Sequence, residues 1–289
     1  MLHALSRHLY VLAVGGGAAV FAAGHALGWP LAPAIAAWSA AMLALGAGLE
    51  RWLPFERAWM RGDGDTATDL WSAAVLVAAV DPLLKAVLPL VAAALLGRQA
   101  GAAWPLAALP LAVQVVAAVL WLELARYASH RLHHRVPALW RLHVLHHGAQ
   151  RLYWLNGLRF HPLNHALNVA VSTLPLLLLG APAEVMLGAL ALTQPVLMLQ
   201  HANVRTANGW QNRVFSTNEV HRWHHAAEPA EAHTNYGSAL VLWDQVFHTY
   251  QAATATSRPQ RIGLFGHGDG DGDPSRAPYW RQVLACCRA

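Results

Sequence analysis

The stretch that decides the fold covers residues 104–147 and reads WPLAALPLAVQVVAAVLWLELARYASHRLHHRVPALWRLHVLHH. Its first part, Trp104–Leu122, is apolar and close to the roughly 20 residues that a helix needs to cross a bilayer. A helix that continues beyond it carries a polar stripe, because positions three, four and seven apart share a face. The stripe consists of Glu123, Tyr127, His130 and His134. We therefore predict a membrane helix that ends in a metal half-site.

The composition is typical of a membrane protein. Of 289 residues, 56% are hydrophobic and only 12% are charged, whereas soluble domains have about 25% charged residues. Lys and Arg number 20 against 15 Asp and Glu, an excess that favours loops beside anionic lipid over nucleic-acid binding. The two cysteines, Cys286 and Cys287, are adjacent and offer neither a disulfide framework nor a zinc-site spacing. Any metal site must therefore rest on the 18 histidines.

We predict an all-α integral membrane bundle with about four transmembrane helices. Their apolar runs are Leu9–Leu27, Leu31–Gly48, Leu70–Leu96 and Trp104–Leu122. The third run contains Asp81-Pro82 and Lys85 and should be kinked or broken, since charge is costly inside the bilayer. A further apolar pair, Ala166–Leu179 and Ala183–Leu199, is separated by Gly180-Ala181-Pro182 and predicts a hairpin that dips into the membrane.

Loop charges and composition predict the domain organisation. Arginines cluster after the second and fourth runs, so the positive-inside rule puts the N-terminus and everything after about Arg126 in the cytoplasm. We expect membrane-spanning helices over 1–125, a histidine-rich cap over 126–251 with the hairpin near 166–199, and a flexible tail over 252–289. The tail contains Gly266–Asp273, whose alternating Asp residues look like a calcium loop but lack its closing Glu, which favours a linker.

Two histidine triplets follow the half-site and repeat one spacing. They are His143-Val144-Leu145-His146-His147 and His221-Arg222-Trp223-His224-His225. In a helix, positions i, i+3 and i+4 project to one side, so each triplet is expected to present three imidazoles to one point. A lone histidine is usually a surface or hydrogen-bonded structural residue. Packing gives no reason to repeat this pattern, and crowded imidazoles repel one another once protonated.

The number of donors predicts two metal ions. Eight imidazoles are too many for one four-coordinate zinc but suit two ions with about four ligands each. Spacing alone does not choose among zinc, iron, copper and nickel. No histidine is followed by Glu, so the zinc-protease signature His-Glu-x-x-His is absent from the sequence.

The order of these motifs resembles the fatty acid hydroxylase and sterol desaturase superfamily. The matching residues are His130-Arg131-x-x-His134, Leu139-Trp140-x-x-His143-x-x-His146-His147, Arg159-Phe160-His161-Pro162, His201-Ala202-Asn203, His221-x-x-His224-His225, Asn235-Tyr236-Gly237 and Trp243-Asp244. Upstream, Glu50–Pro54 and Gly64-Asp65-x-x-x-Asp69-Leu70 also match, so the resemblance covers roughly residues 45–250. The three-residue gap between the first two histidines argues against carotenoid hydroxylases and acyl-lipid desaturases, which resemble this plan with a longer first gap. Where many members read His-Pro-x-Glu, this chain has Asn164.

The resemblance implies roles for individual residues. The eight clustered histidines are expected to bind two iron ions, with His201 as a ninth ligand and His161 as a weaker candidate. Glu123 is expected to accept a hydrogen bond from a liganding imidazole, as residues behind metal ligands commonly do. Asn203 and Asn235, with Asn218 and Asp244, are similar candidates for hydrogen bonds around the site. The histidines that match no ligand position are His133, His165, His233 and His248.

The resemblance also implies an activity, the O2-dependent hydroxylation or desaturation of an unactivated C–H bond in a fatty acyl lipid, sterol or hopanoid-like lipid. Electrons must come from a ferredoxin, cytochrome or reductase partner, because the sequence has no haem, iron–sulfur or nucleotide-binding motif. In a bacterium, such a multi-pass protein belongs in the inner membrane. Two other functions fit the histidines: a membrane metal transporter or metal-binding protein, and a zinc-dependent lipid hydrolase.

Overall fold

A computed structural model describes residues 2–62, 64–96, 104–264 and 277–285. Within these ranges the regular structure is helical apart from isolated bridges such as Pro54 with Val204, which confirms the predicted all-α class. The α-helices are α1 Leu2–Arg7, α2 Leu9–Leu27, α3 Leu31–Trp52, α4 Thr66–Val75, α5 Asp81–Leu96, α6 Leu111–Arg135, α7 Pro137–His147, α8 Pro162–Leu178, α9 Ala183–Gln200, α10 Asn218–His224, α11 Pro229–Ala232, α12 Leu242–Val246 and α13 Tyr279–Ala285.

Five helical segments are long and apolar enough to cross a membrane. They are Leu9–Leu27, Leu31–Trp52, Thr66–Leu96, Leu111–Arg135 and Ala183–Gln200. Only 11% of the third segment's apolar window is buried within the protein, so its outward side chains, such as Leu83 and Leu90, suit contact with lipid. The predicted hairpin is present as α8 and α9, and α9 itself reaches spanning length. Since α8 begins and α9 ends beside the histidines, the hairpin returns the chain to the site.

Two predicted spans differ in detail from the structure. The fourth begins at Leu111 rather than Trp104, because Pro110 precedes the first turn, and it extends unbroken to Arg135. The third is interrupted by a π-helical turn over Leu76–Val80, directly before Asp81-Pro82. Proline at position 82 has no N–H to donate to the preceding turn, and the wider turn accommodates this loss. The third span therefore contains a π-helical turn at the place where the sequence predicted a kink or a break.

The helices pack around α9, which lies against α2 and α3 on one side and α6 on the other. Tyr10 of α2 is fully buried there, and its hydroxyl donates to the carbonyl of Leu199. Further along α2, Gly17 brings the two backbones together, since a Cβ at this glycine would lie 2.0 Å from the carbonyl oxygen of Ala191. This close approach sets the position of α9, whose last turn leads into the histidine cluster.

Part of the segment predicted to be a flexible tail packs against the body. The N–H of Ala227 donates to the carbonyl of Arg261, Ile262 is buried, and α13 lies against α4 with Tyr279 buried. An apolar and an aromatic side chain in an otherwise polar segment explain this docking, because their burial is favourable. The stretch Gly266–Asp273 and the cysteine pair Cys286 and Cys287 lie outside the described residues.

We expect Gly17→Ala to destabilise the bundle, because the added methyl group must push α2 away from α9. Overpacking of this kind costs about 1–3 kcal/mol. Gly15→Ala is the matched control, since a Cβ at Gly15 meets no atom within 4 Å. Thermal unfolding in detergent should show a lower midpoint for the first variant only. Equal midpoints for the two variants would contradict the close packing.

Candidate metal centre

Nine buried or nearly buried histidines form two adjacent groups. The first group contains His130, His134, His143, His147 and His224, and the second contains His146, His201, His221 and His225; within each group the candidate ligand nitrogens all lie within 4.8 Å of one another. The groups touch, since the rings of His147 and His225 stack with centroids 4.4 Å apart. The structure thus brings together the eight clustered histidines and His201.

Each triplet contributes to both groups, which differs from the prediction that its three imidazoles meet at one point. His143 and His147 lie in the first group while His146 lies in the second. A helix advances about 100° per residue, so i and i+4 diverge by about 40° whereas adjacent residues diverge by about 100°. The i+3 imidazole therefore points to the neighbouring group. The second triplet divides in the same way, with His224 in the first group and His221 and His225 in the second. Helices α7 and α10 therefore each contribute to both groups.

Hydrogen bonds at the second ring nitrogen orient several of the imidazoles. The Nδ1–H of His130 donates to the carbonyl of Tyr236 at 2.9 Å, and that of His224 donates to the carbonyl of Thr234 at 2.8 Å. His146 donates in the same way to the carbonyl of Arg159. A carbonyl can only accept, so in each neutral ring Nε2 is left with an unprotonated lone pair.

Two asparagines orient further imidazoles. Nδ1 of His143 lies 3.2 Å from Oδ1 of Asn164, and Nδ1 of His201 lies 3.0 Å from Oδ1 of Asn156. Asn164 was noted in the sequence as a departure from the family pattern, but nothing in the sequence singled out Asn156. It lies 45 residues before its partner His201 in the chain, so its role follows from the tertiary structure alone.

The facing nitrogens fit a metal ion. Nε2 of His130 and Nε2 of His143 are 3.0 Å apart although both rings carry their proton on Nδ1. Two bare lone pairs at that distance repel unless a cation lies between them. Two ligands at right angles on an ion with bonds of about 2.1 Å are about 3.0 Å apart, which matches. Buried nitrogens of His134 and His224 in the same group also lack a hydrogen-bond partner.

Burial keeps the ligand imidazoles neutral. It lowers the pKa of His201 to about 3, and it lowers the pKa of the triplet histidines well below 6.5, with their mutual repulsion as a smaller cause. A metal ion binds only the deprotonated imidazole. The donors are therefore ready to bind at neutral pH.

His161 is not part of either group. Its Nδ1 accepts from the N–H of Leu163 at the start of α8, and its Nε2 lies 3.3 Å from the carbonyl of Val283. With one nitrogen accepting and the other facing a carbonyl, the ring has no lone pair for a metal. The weaker ligand candidate is therefore corrected to a helix-capping residue.

Glu123 and Asn203 support loops rather than imidazoles. Oε2 of Glu123 accepts the N–H groups of Ala239 and Leu240, both at 2.7 Å, instead of a histidine N–H as predicted. Asn203 bonds the loop before α4 through the backbone N–H and carbonyl of Glu56. Neither side chain bonds one of the clustered imidazoles, because each is occupied by backbone groups that need a partner.

Asn235 acts through its neighbours. The residues on either side of it, Thr234 and Tyr236, supply the carbonyls that accept hydrogen bonds from His224 and His130 respectively. Asn235 itself adopts a φ of 53° and its side chain bonds the backbone of Val220 and Gln251. Asparagine tolerates this left-handed conformation better than most residues. Asp244 completes the segment by accepting the N–H groups of Tyr236 and Gly237, and Asn218 binds the carbonyls of Ala202 and Val204.

These features define a helical, membrane-competent protein with two adjacent groups of imidazole ligands. The model of the family described as fatty acid hydroxylase matches residues 115–249. The ornithine lipid hydroxylase OlsE of Rhizobium tropici is 37% identical over 75% of this chain and 66% of its own length. The alkylglycerol monooxygenase of Caenorhabditis elegans is 25% identical over 44% of this chain and 25% of its own length. No solved structure matches.

The family model and both relatives support the fatty acid hydroxylase and sterol desaturase superfamily for this chain. This confirms the resemblance inferred from the motifs. The chain spans just under two thirds of the first relative and a quarter of the second. Both matches therefore cover part of each relative rather than its whole length.

We expect Asn156→Ala to weaken metal binding in the second group about 10- to 100-fold, the usual effect of losing a residue that orients a ligand. Asn156→Asp is the matched control, because its carboxylate still accepts from His201 and from the N–H of Tyr153. Metal content should be measured by elemental analysis after dialysis against a graded series of chelator concentrations. Equal retention by the Ala and Asp variants would argue against the orienting role.

The metal-free protein should lose stability in acid. The folded pKa values of the six triplet histidines lie below 6.5, so between pH 6.5 and those values the unfolded chain takes up protons that the folded chain does not. Above pH 6.5 both states are neutral and the groups contribute no pH dependence. The unfolding midpoint in detergent should therefore be level from pH 8 to 7 and fall below about pH 6.5. A level profile down to pH 5 would show that these rings are solvated.

Proposed function

We propose that this chain is a membrane-bound di-iron oxygenase that inserts oxygen into a lipid C–H bond. The observation that carries the proposal is the facing pair of unprotonated nitrogens on His130 and His143, repeated in kind across two touching groups. Within the described residues both groups are made of histidine alone. Iron, rather than zinc or copper, is inferred from the superfamily, since imidazole suits all of these metals.

The reaction consumes one O2, two electrons and two protons, and it converts a C–H bond into C–OH with release of one water. The bound metal would supply O2 activation, which no side chain can perform. Both relatives are named for hydroxylation or monooxygenation, which favours hydroxylation over desaturation. Their names also favour a lipid substrate, and the wider class comprises fatty acyl lipids, sterols and hopanoid-like lipids.

The residues of the chain supply rigidity and exclusion of water. The triplet rings are at least 96% buried. Hydrogen bonds from Nδ1 to the carbonyls of Thr234 and Arg159 fix the direction of His224 and His146, and the carbonyl of Tyr236 does the same for His130. Ligands held in this way do not need to reorganise during the reaction, which lowers its cost. A dry site also protects a reactive oxidant from side reactions.

The position of the site below the membrane helices favours a lipid that enters sideways from the bilayer. The arginines beside the site, Arg131, Arg135 and Arg141, favour the cytoplasmic side under the positive-inside rule, and in a bacterium the inner membrane. Electrons would come from an external ferredoxin, cytochrome or reductase. A cytoplasmic site would be open to such a partner.

The decisive test is elemental analysis of the purified protein joined to oxygen uptake in the presence of a reductant and a lipid extract. We expect about two irons per chain, one for each group, and oxygen consumption that depends on lipid. Full activity with zinc alone, or no oxygen uptake by iron-replete protein, would contradict the proposal.

The triple change of His221, His224 and His225 to Ala should abolish both iron binding and oxygen uptake, because it removes ligands from both groups at once. His8→Ala is the control, since His8 is exposed and belongs to neither group. Retained turnover by the triple variant would refute the assignment of these ligands.

A further inference from the structure

A small polar cluster lies between α6 and α8, beside the first histidine group. The hydroxyl of Ser129 on α6 donates to Oδ1 of Asn168 on α8 at 2.5 Å, which fixes how the two helices lie side by side. α6 runs toward the histidines and α8 runs away from them, so the helices are antiparallel. One turn forward from Ser129 is His133, and one turn back from Asn168 is Asn164. His133 and Asn164 therefore lie level with each other across the helix pair.

His133 presents an unused acceptor in this cluster. Only 1% of the residue is exposed, and its Nδ1 lies 2.7 Å from the carbonyl of Ser129. Nδ1 must carry the ring proton, because a carbonyl can only accept. Nε2 of the neutral ring is then a bare acceptor, and it is buried without any hydrogen-bond partner. Leaving such an atom unsatisfied is costly.

Asn164 presents an unused donor. Its side chain is completely buried, and Oδ1 already accepts from Nδ1 of His143. Nδ2 has two N–H donors and no partner. Both residues adjoin the same metal-ligand candidate, since the ring of His133 lies with its centroid 5.6 Å from that of His143. An acceptor and a donor without partners thus flank one side of the first group.

The neighbouring surface is apolar and open. Leu132, next to His133, is 50% exposed, and Leu163, next to Asn164, is 55% exposed. Leu167 and Val171 continue this exposed stripe along α8. An apolar surface of this kind suits contact with a lipid, and a lipid group that partners both atoms must have both a donor and an acceptor of its own.

We infer that His133 and Asn164 bind the polar group of the lipid substrate, and that this group carries both a hydrogen-bond donor and an oxygen acceptor, as a hydroxyl or a secondary amide does. Asn164 donates to the oxygen and His133 accepts from the O–H or N–H. This inference rests on the proposed function. It assigns His133, which matches no ligand position, to substrate selection, and it disfavours esters and ethers, which have no donor.

Two matched probe pairs test the inference. N-methylhexadecanamide and methyl hexadecanoate differ in the N–H, and hexadecanol and its methyl ether differ in the O–H. Binding of each to the iron-loaded full chain in nanodiscs should be measured with empty nanodiscs as the partition reference. We expect the donor-bearing member of at least one pair to bind about five- to tenfold more tightly, the effect of one net hydrogen bond. Equal affinities within both pairs would overturn the inference.

Two variants separate the roles. His133→Phe keeps a ring but removes the acceptor, so the preference for the donor-bearing probe should vanish. Asn164→Asp keeps the oxygen that accepts from His143 but removes the donor, so both members of a pair should weaken while their ratio persists. His8→Phe, at an exposed position outside both groups, is the control and should keep the wild-type ratio. A His133→Phe protein that binds iron normally and keeps the preference would also overturn the inference.

The outcomes distinguish this inference from the proposed function. Iron-replete protein that consumes oxygen with lipid extract but binds both members of each pair equally contradicts the substrate group alone. Protein that prefers the donor-bearing probes but never consumes oxygen contradicts the oxygenase. A water molecule held permanently between His133 and Asn164 predicts no preference in either pair, so it belongs to the first outcome.

Discussion

The structure depends on one constraint, the need to hold nine imidazoles together with their lone pairs facing inward and their protons facing out. Neutral imidazole has one donor and one acceptor, so each inward lone pair requires an acceptor behind the ring. For five of the nine rings, His130, His143, His146, His201 and His224, these acceptors are backbone carbonyls at Thr234, Tyr236 and Arg159 and amide oxygens at Asn156 and Asn164. The irregular loops that carry these acceptors are therefore positioned by hydrogen bonds from the rings.

Buried ion pairs connect the third membrane segment to the loop that supports the histidine groups. Arg159, whose carbonyl accepts from His146, is completely buried, and its guanidinium bonds Asp69 of α4 and the carbonyl of Leu145. Arg151, on the same loop, makes a bidentate pair with Asp65. Buried pairs of this kind add little net stability, but breaking one leaves an uncompensated charge at a cost of about 3–5 kcal/mol. They make the loop between α7 and α8 rigid relative to the third membrane segment.

The clustering of the histidines was predictable from the sequence, but their division into two groups was not predicted. Spacing identified the eight clustered histidines, because no packing requirement repeats His-x-x-His-His. The prediction treated i, i+3 and i+4 as one direction, although adjacent residues such as His146 and His147 diverge by about 100°. Which group each ring then joins depends on how α7 packs beside α10, which is a tertiary feature. Asn156 was missed for a related reason, since its partner His201 lies 45 residues away in the chain. Glu123 was assigned the wrong partner because the donors that it accepts from are backbone N–H groups, which leave no mark in the sequence.

Carboxylates surround the site without belonging to it. Glu123 and Asp244 are fully buried and accept backbone N–H groups of the segment after Asn235, while Glu50 accepts those of Asn203 and Trp154. Burial raises the pKa of Asp244, so holding it ionised costs free energy in the metal-free protein. Neutral imidazoles do not cancel the charge of a bound cation, and nearby carboxylates are then attracted to it. Metal binding and the ordering of these loops are therefore coupled, because each lowers the electrostatic cost of the other.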